Sequence, residues 1–216
     1  MMERKVSSEL EGATAAVGPL LLRPRRADRT VTGDEWIRAF LREAAFGVIA
    51  MSGAGRPYLN VNLFVFDEAE HAIFFHTWGG GRTRRETGAN PEVCFAAFRM
   101  GRLLPAERIA DYSVEYASVL VFGSAVVVTD AVRARRAQEL PLRKYFPHKE
   151  PGRDFAPFTD AELLRAAVYR LSIAGWSAKR NAEAKDYAGA FVFPWGAPSA
   201  GPEAPRAPLE PRTPRK

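Results

Sequence analysis

The change in apolar spacing between residues 33 and 76 constrains the fold of this chain more than any other feature. Thr32 and Glu35 have the separation of a capping box, and the apolar residues after them recur at helical spacing, which predicts a helix over 33–44. Three extended segments follow, joined by links of hairpin length: 46–51, 58–66 and 72–76. Strands joined so closely pair antiparallel, because a parallel pair needs a crossover of a dozen or more residues. The spacing therefore predicts an antiparallel sheet or barrel.

The remainder of the chain extends this pattern. A short helix or turn is predicted over 82–88 and a strand over 93–98, whereas 99–111 has no clear pattern and is interpreted as a loop, with room for a helical turn. The later segments are a strand over 116–129 with Gly123 placed for a bulge, a helix over 130–142, a helix opened by Thr159 and a last strand over 167–176. Together they predict one α+β domain with six antiparallel strands in a small barrel.

Composition and charge disfavour several classes of protein. The chain has 216 residues, 47% of them hydrophobic, and its net charge of +6 falls mainly at the ends, since 31–193 holds 21 basic against 19 acidic side chains. This near balance argues against nucleic-acid binding by the body of the protein. We divide the chain into a flexible segment over 1–28, a folded domain over 29–193 and a Pro-, Ala- and Arg-rich tail over 194–216, for which the composition predicts disorder.

The cysteine and histidine content predicts no metal site. Cys94 is the single cysteine, so no intramolecular disulfide can form, and its apolar neighbours predict a buried core position. The three histidines are too scattered for metal-ligand spacing. No stretch approaches the roughly 18 apolar residues of a membrane span, and no convincing signal peptide is present. We expect a soluble cytoplasmic protein without membrane contact.

A glycine-arginine loop follows the strand predicted over 72–76. Three glycines at 79–81 precede the run Arg-Thr-Arg-Arg at 82–85. Glycines let the backbone approach a phosphate closely, and guanidinium groups clamp two of its oxygens. The loop fits a phosphate site, and it fits a solvated basic turn equally well.

Polar residues also stand on or at the ends of the predicted strands. Asn60 and Asn62 share one strand face, either to bond the edge of a flat heterocycle or as a solvated face. Other such clusters are His76 with Trp78, Tyr116 with Ser118, and Trp176 with Lys179. They fit ligand contacts as well as plain surface exposure. Because no catalytic triad or carboxylate pair is evident, any redox chemistry would have to come from a cofactor.

The run from His76 to Arg82, followed by Asn-Pro-Glu-Val-Cys-Phe at 90–95, resembles the flavin-nucleotide-binding split barrels related to pyridoxamine 5'-phosphate oxidase. Within that family it is most similar to the branch of the nitroimidazole-resistance (Nim) proteins. The order of helices and strands over about 30–180 fits the same family. The resemblance implies a six-stranded antiparallel split β-barrel and a homodimer that holds FMN in a groove between its subunits.

The resemblance also implies contacts to FMN. It sets the phosphate against Arg82, Thr83 and Arg84, although the family usually carries lysine where this chain has Thr83, so Arg84 or Arg85 has to supply that cation. The other implied contacts are Asn60, Val61 and Asn62 at the flavin edge, His76 and Thr77 at a strand end, and Tyr116, Ser118, Trp176 and Lys179 from neighbouring strands or the other subunit.

These observations lead to a main hypothesis and two alternatives. The main hypothesis is an FMN-dependent oxidoreductase that passes electrons from reduced flavin to a small aromatic, nitro-aromatic or quinone-like acceptor, with NAD(P)H or a deazaflavin as donor. The first alternative is a non-catalytic protein of the same fold that binds flavin, haem or pyridoxal phosphate for storage, sensing or resistance. The second, nucleic-acid binding through the basic loop at 82–85, is disfavoured by the near-neutral body.

Overall fold

Antiparallel strands alternate with short helices in the computed structural model, which describes Gly18, residues 22–53 and residues 55–194. The strands are β1 (Thr30–Val31), β2 (Gly47–Met51), β3 (Tyr58–Asn62), β4 (Val65–Asp67), β5 (Ala72–Trp78), β6 (Glu92–Leu104), β7 (Ser113–Val127), β8 (Ala166–Asn181) and β9 (Phe191–Val192). The α-helices are α1 (Asp34–Glu43), α2 (Arg82–Ala89), α3 (Ala131–Tyr145) and α4 (Asp160–Arg165).

The strands form one sheet in the order β3-β2-β6-β7-β8-β5-β4, with β1 added to β8 and β9 added to β6. Every pairing between these strands is antiparallel. The predicted α+β class and antiparallel split-barrel architecture are thereby confirmed. The strand predicted over 58–66 is wrong as a single strand, because it divides into β3 and β4 on opposite edges of the sheet. Two short segments, β1 and β9, were not predicted.

The crossover between β3 and β4 is held by the last turn of α3. Phe64 is fully buried, and its carbonyl oxygen accepts hydrogen bonds from Tyr145 Oη at 2.9 Å and from Lys144 Nζ at 3.1 Å. Its N–H donates to Tyr145 Oη at 3.0 Å. These contacts satisfy a buried peptide group that lies outside the sheet ladder.

The main core lies between α1 and the inner face of the sheet. Helix α1 buries Ile37, Phe40 and Leu41 against the strands. Phe75 of β5 and Tyr169 of β8 stack at 4.8 Å between ring centroids, and both are buried. Cys94 is half-buried, so the predicted core position is only partly realised.

The sequence predicted the N-terminal cap of one helix correctly and that of another incorrectly. The capping box at α1 is wrong, because Gly33 is the N-cap without a side-chain bond and Glu35 pairs with Arg42 at 3.2 Å instead. The helix itself is confirmed within one residue at each end. Thr159 opens α4 as predicted and forms a capping box with Glu162.

Several strands and one helix are longer than predicted. Strand β6 continues to Leu104, so the loop predicted over 99–111 is wrong for its first six residues. Strand β8 continues to Asn181, and α3 passes Pro141 to end at Tyr145. The predicted bulge is confirmed, since the register of β7 and β8 shifts at Gly123.

No helix among the described residues is long and apolar enough to cross a membrane. The cytoplasmic location stays a prediction. Most of the predicted segment over 1–28 and all but Pro194 of the predicted tail lie outside the described residues. The domain boundaries at 29 and 193 also stay predictions.

Candidate functional site

The glycine-arginine loop forms a tight turn that leads from β5 into α2. Gly79 donates its N–H to the carbonyl oxygen of Arg165 at 2.9 Å, and Gly81 donates to that of Trp78 at 3.0 Å. Gly81 is the N-cap of α2, no side chain caps the helix there, and its first turn holds no acidic residue. The N–H groups and the dipole at such a helix end favour an anion.

Arg82 is held in place at the start of α2. Its Nε donates to Glu86 Oε1 at 2.9 Å, and its guanidinium lies 4.3 Å from the ring centroid of Tyr58. Glu86 is only 1% exposed, so this ion pair is partly buried. Arg84 and Arg85 are exposed on the same helix.

Thr83 connects α2 to β3. Its side chain is buried, and its hydroxyl accepts a hydrogen bond from Asn60 Nδ2 at 3.0 Å. Asn62 Nδ2 in turn donates to the carbonyl oxygen of Asn60 at 3.3 Å. The structure therefore brings together Asn60, Asn62, Thr83 and Arg82, four of the predicted site residues.

The two faces of β3 are reversed relative to an ordinary surface strand. Asn60 and Asn62 are half-buried, whereas Leu59, Val61 and Leu63 are 61%, 64% and 48% exposed. Of the two interpretations left open by the sequence, the solvated polar face does not match this arrangement. The side chain of Val61 points away from the asparagines, which leaves its backbone as the group nearest to them.

The end of β5 contributes three further predicted residues near the glycine turn. His76 is exposed, yet partial desolvation lowers the pKa of its imidazole, which favours the neutral form at pH 7. The Thr77 hydroxyl donates to the Trp78 carbonyl oxygen at 3.3 Å, and the Trp78 side chain is 69% exposed. These residues stand next to the α2 N-terminus in the chain.

A second group of predicted residues lies elsewhere on the sheet. Ser118 of β7 pairs with Lys179 of β8, and Tyr116 lies two residues before Ser118. Asn60, which bonds α2, lies in one row with Ile49, Phe95 and Val121, and Ser118 is three residues along β7 from Val121, roughly 10 Å at about 3.3 Å per residue. Within one chain this second group is therefore three strands across the sheet from Asn60.

Trp176 meets neither group through its ring. Its Nε1 donates to Asp34 Oδ1 at 3.0 Å, and Arg38 lies 5.5 Å from its ring centroid. The rings of His71 and Phe66 pack against it at 4.8 and 6.2 Å. These contacts join α1 to β8 and to the turn between β4 and β5.

Two polar arrangements were given no role in the sequence analysis. Burial lowers the pKa of Lys144 at the β3–β4 crossover to about 8. The hydrogen bonds from Arg102 lower the pKa of Glu115 to about 2. Neither shows a local sequence motif, because each depends on partners brought together by the fold.

Comparison with known proteins gives a match to one family model and none to a curated protein. The model of the family described as pyridoxamine 5'-phosphate oxidase matches residues 34–180. No curated protein matches the sequence.

Three solved structures share the fold at low sequence identity. The flavocytochrome Anf3 of Azotobacter vinelandii has a TM-score of 0.63 and 19% identity over 90% of this chain and 92% of its own. The FAD and haem binding protein of Mycobacterium smegmatis has a TM-score of 0.60 and 19% identity over 85% and 94%. A candidate 5-nitroimidazole antibiotic resistance protein of Bacteroides thetaiotaomicron has a TM-score of 0.58 and 16% identity over 70% and 86%.

Proposed function

Because this chain belongs to the pyridoxamine 5'-phosphate oxidase family, we propose that it is an FMN-binding oxidoreductase with a small aromatic, nitro-aromatic or quinone-like electron acceptor. The observation that carries the proposal is the uncapped N-terminus of α2 with its arginines, joined to β3 by the Asn60–Thr83 bond. A bound flavin supplies the electron-transfer chemistry, and the protein supplies binding and orientation.

The α2 N-terminus fits the phosphate of the flavin. Gly81 leaves the first N–H groups without a side-chain partner, and Arg84 and Arg85 are exposed beside them. Arg82 is already paired with Glu86, so it adds less free charge than the sequence implied. Other members of the family usually carry lysine where this chain has Thr83, which is buried and uncharged. In this proposal Arg84 or Arg85 supplies that cation.

The half-buried face of β3 fits the edge of a flat heterocycle. The Asn60 amide nitrogen is committed to Thr83, which leaves its side-chain oxygen as an acceptor. Asn62 offers its own amide oxygen on the same face. The bond to α2 fixes Asn60 before a ligand arrives, and this lowers the ordering cost of binding.

A homodimer completes the proposed site. The exposed apolar face of β3 is of the kind that a second subunit covers. Tyr116, Ser118 and Lys179 lie on β7 and β8, at least three strands across the sheet from Asn60 in one chain, and a second copy can bring its own set to the flavin. We assign these three residues to the partner side of the site.

The comparisons support the cofactor and acceptor classes of this proposal. Two of the similar structures are described as a flavocytochrome and as an FAD and haem binding protein, and the third as a candidate 5-nitroimidazole resistance protein. The first two support a flavin as cofactor, and the third supports a nitro-aromatic acceptor and a relation to the Nim branch.

The test is flavin binding by a variant that removes the two exposed arginines of α2. Arg84→Ala with Arg85→Ala should weaken FMN binding at least tenfold in a fluorescence titration, because each lost phosphate contact is charge-assisted. Arg82→Ala is avoided, since it would take the ion-pair partner from the buried Glu86. The control is Arg136→Ala with Arg143→Ala on α3, which makes the same change in net charge on an exposed surface.

Three measurements test the proposed site and its alternatives. Wild-type protein that binds no FMN, or an Arg84/Arg85 variant that binds it as tightly as the control, would refute the site. The second measurement compares how fast an added nitro-aromatic or quinone and dissolved oxygen oxidise the reduced flavin. If the added acceptor is no faster than oxygen, the result favours storage over catalysis. A Soret band on addition of haem, lost on replacement of His76, would favour the haem-binding alternative.

A further inference from the structure

A cation-lined cleft of about 460 Å³ lies toward the loop end of the β6–β7 hairpin, away from α2. The pairing register sets Arg99, Ala117 and Arg180 in one row across β6, β7 and β8. Residues paired directly opposite each other project from the same face, so the two arginines flank the small side chain of Ala117. Lys185 lines the same cleft, and Gly101 and Ala182 add little bulk to it.

A partly buried ion pair fixes the loop that forms one wall of the cleft. Arg102 donates to both carboxylate oxygens of Glu115, at 2.9 and 2.6 Å. The same guanidinium donates to the carbonyl oxygens of Glu183, Ala184 and Lys185 at 3.2, 2.9 and 2.8 Å. Because the loop is held before any ligand binds, the cleft is preorganised.

The basic side chains at the rim of the cleft remain available to a ligand. Among the described residues, Arg180 and Lys185 have no ion pair, and their side chains make no hydrogen bond there. Arg99 lies 5.4 Å from the centroid of the Phe40 ring and has a 3.7 Å contact with Glu43, and the side chains of Arg99 and Glu43 are more than 60% exposed. An exposed pair of this kind contributes little, so all three charges are available to an anion.

An apolar cavity of about 500 Å³ adjoins the cleft and shares Arg99 and Met100 with it. Its walls include Phe40, Phe46 and Phe98. Phe46 and Phe98 meet edge to face at 5.7 Å, which leaves aromatic surface for a planar ring. A nucleotide consists of a flat base and charged phosphates, so a cavity that accepts a ring beside a cleft that accepts anions matches its two parts.

We propose that this pair of cavities binds the adenosine diphosphate part of a dinucleotide, with the phosphates against Arg180, Lys185 and Arg99 and the base among the phenylalanines. The Glu183 carboxylate at the cleft suits the ribose hydroxyls, as acidic residues do in dinucleotide sites. The site is additional to the flavin-phosphate site at α2, and it borders the residues assigned to the partner side of the flavin site, since Tyr116 also lines the cleft. Two molecules carry this group: the flavin itself, if it is FAD, and a nicotinamide dinucleotide donor.

The first experiment titrates ADP into the purified full chain by isothermal titration calorimetry. Arg180→Ala with Lys185→Ala should weaken ADP binding at least tenfold, and the Arg136→Ala with Arg143→Ala control should stay within twofold of wild type. Phe98→Ala should weaken ADP and leave inorganic pyrophosphate unchanged, since only ADP carries the base. Absence of ADP binding by wild-type protein, or equal binding by the Arg180/Lys185 variant and the control, would overturn the proposal.

The second experiment identifies the source of the nucleotide. A wild-type preference for FAD over FMN that disappears in the Arg180/Lys185 variant assigns the cleft to the flavin. Equal affinities for FMN and FAD, with the KM for NADH raised in the variant, assign it to the donor. The ADP titration needs no flavin, so a failure of flavin binding at α2 would refute the proposed function and leave this site standing.

Discussion

Lys144 lies in an environment that disfavours its charged form. Its ammonium group lies 4.0 Å from the centroid of the Phe64 ring and donates to two backbone carbonyls, those of Phe64 at 3.1 Å and Leu41 at 3.4 Å. Burial lowers its pKa from 10.5 to about 8, because desolvation disfavours the charged form more than these contacts favour it. The residue joins α3, α1 and the β3–β4 crossover.

This shift predicts a pH dependence of stability. Between pH 8 and 10.5 the unfolded chain binds more protons at Lys144 than the folded chain does, so the free energy of unfolding should rise with pH in that window. Lys144→Met removes this contribution, while Tyr145 and the other groups titrate in both proteins. Urea unfolding at pH 7, 8, 9 and 10 should show the difference between wild type and variant moving in favour of wild type. A difference that stays constant across these values would contradict the shift.

Gly123 occupies a position where a side chain cannot fit. A Cβ there would lie 1.9 Å from the Ser172 carbonyl oxygen, at the bulge between β7 and β8. Gly123→Ala should lower the free energy of unfolding by about 2 kcal/mol or more, since backbone has to move. Gly88→Ala in α2 is the matched control, because its Cβ meets nothing within 4 Å and alanine favours a helix by about 0.5–1 kcal/mol. Equal stabilities for the two variants in urea unfolding would refute this account.

At the scale of elements, one arginine makes most of the side-chain hydrogen bonds to the loop after β8, and Tyr187 Oη adds one to the Pro105 carbonyl oxygen at 3.0 Å. Arg102 bonds three successive carbonyl groups and the Glu115 carboxylate, and Glu183 donates its N–H to the same carboxylate at 3.0 Å. Arg102→Lys should loosen residues 183–187, because an ammonium group lacks the planar fork that reaches all these acceptors. Hydrogen exchange of that segment should rise while exchange in β7 stays low. Unchanged exchange at 183–187 would show that β9 holds the loop instead.

The elements also show what the sequence could and could not specify. Local signals were sufficient for α1 and the centres of the strands, which show apolar periodicity, and for α2, which the proline at 91 ends. The split of 58–66 into β3 and β4 has no local signal, since it depends on Lys144 and Tyr145 about 80 residues away. The extension of β6 beyond Arg99 likewise depends on the pairing of Arg102 with Glu115 across the hairpin.

The candidate site likewise combines features that the sequence shows with features that depend on the fold. The glycine turn and the arginines of α2 are adjacent in sequence and were recognisable as one unit. Their link to Asn60 spans 23 residues and depends on how β3 packs on α2. The burial of Thr83 and the pairing of Arg82 with Glu86 are invisible in a linear pattern, and they shift the proposed phosphate contact toward Arg84 and Arg85.

At the scale of the whole molecule, the outward face of β3 is unsuited to a free monomer. Leu59 and Val61 of this edge strand are more than 60% exposed, and Leu63 directly after it is 48% exposed. An edge strand with exposed apolar side chains pairs readily with another chain unless it is covered. The proposed dimer covers it and brings the Tyr116, Ser118 and Lys179 set of one subunit toward α2 of the other.

This arrangement predicts that assembly and flavin binding fail together. Leu59→Glu with Leu63→Glu places two charges on the β3 face without touching Asn60, Thr83 or the arginines of α2, so the barrel should fold while the dimer dissociates. Val132→Glu on α3, where the side chain is 79% exposed, is the control. Light scattering after size-exclusion chromatography should give half the wild-type mass for the β3 variant, and a fluorescence titration should show FMN affinity reduced at least tenfold. A monomeric variant that keeps full FMN affinity would place the whole flavin site within one chain, because no residue of a second subunit would then be needed to hold it.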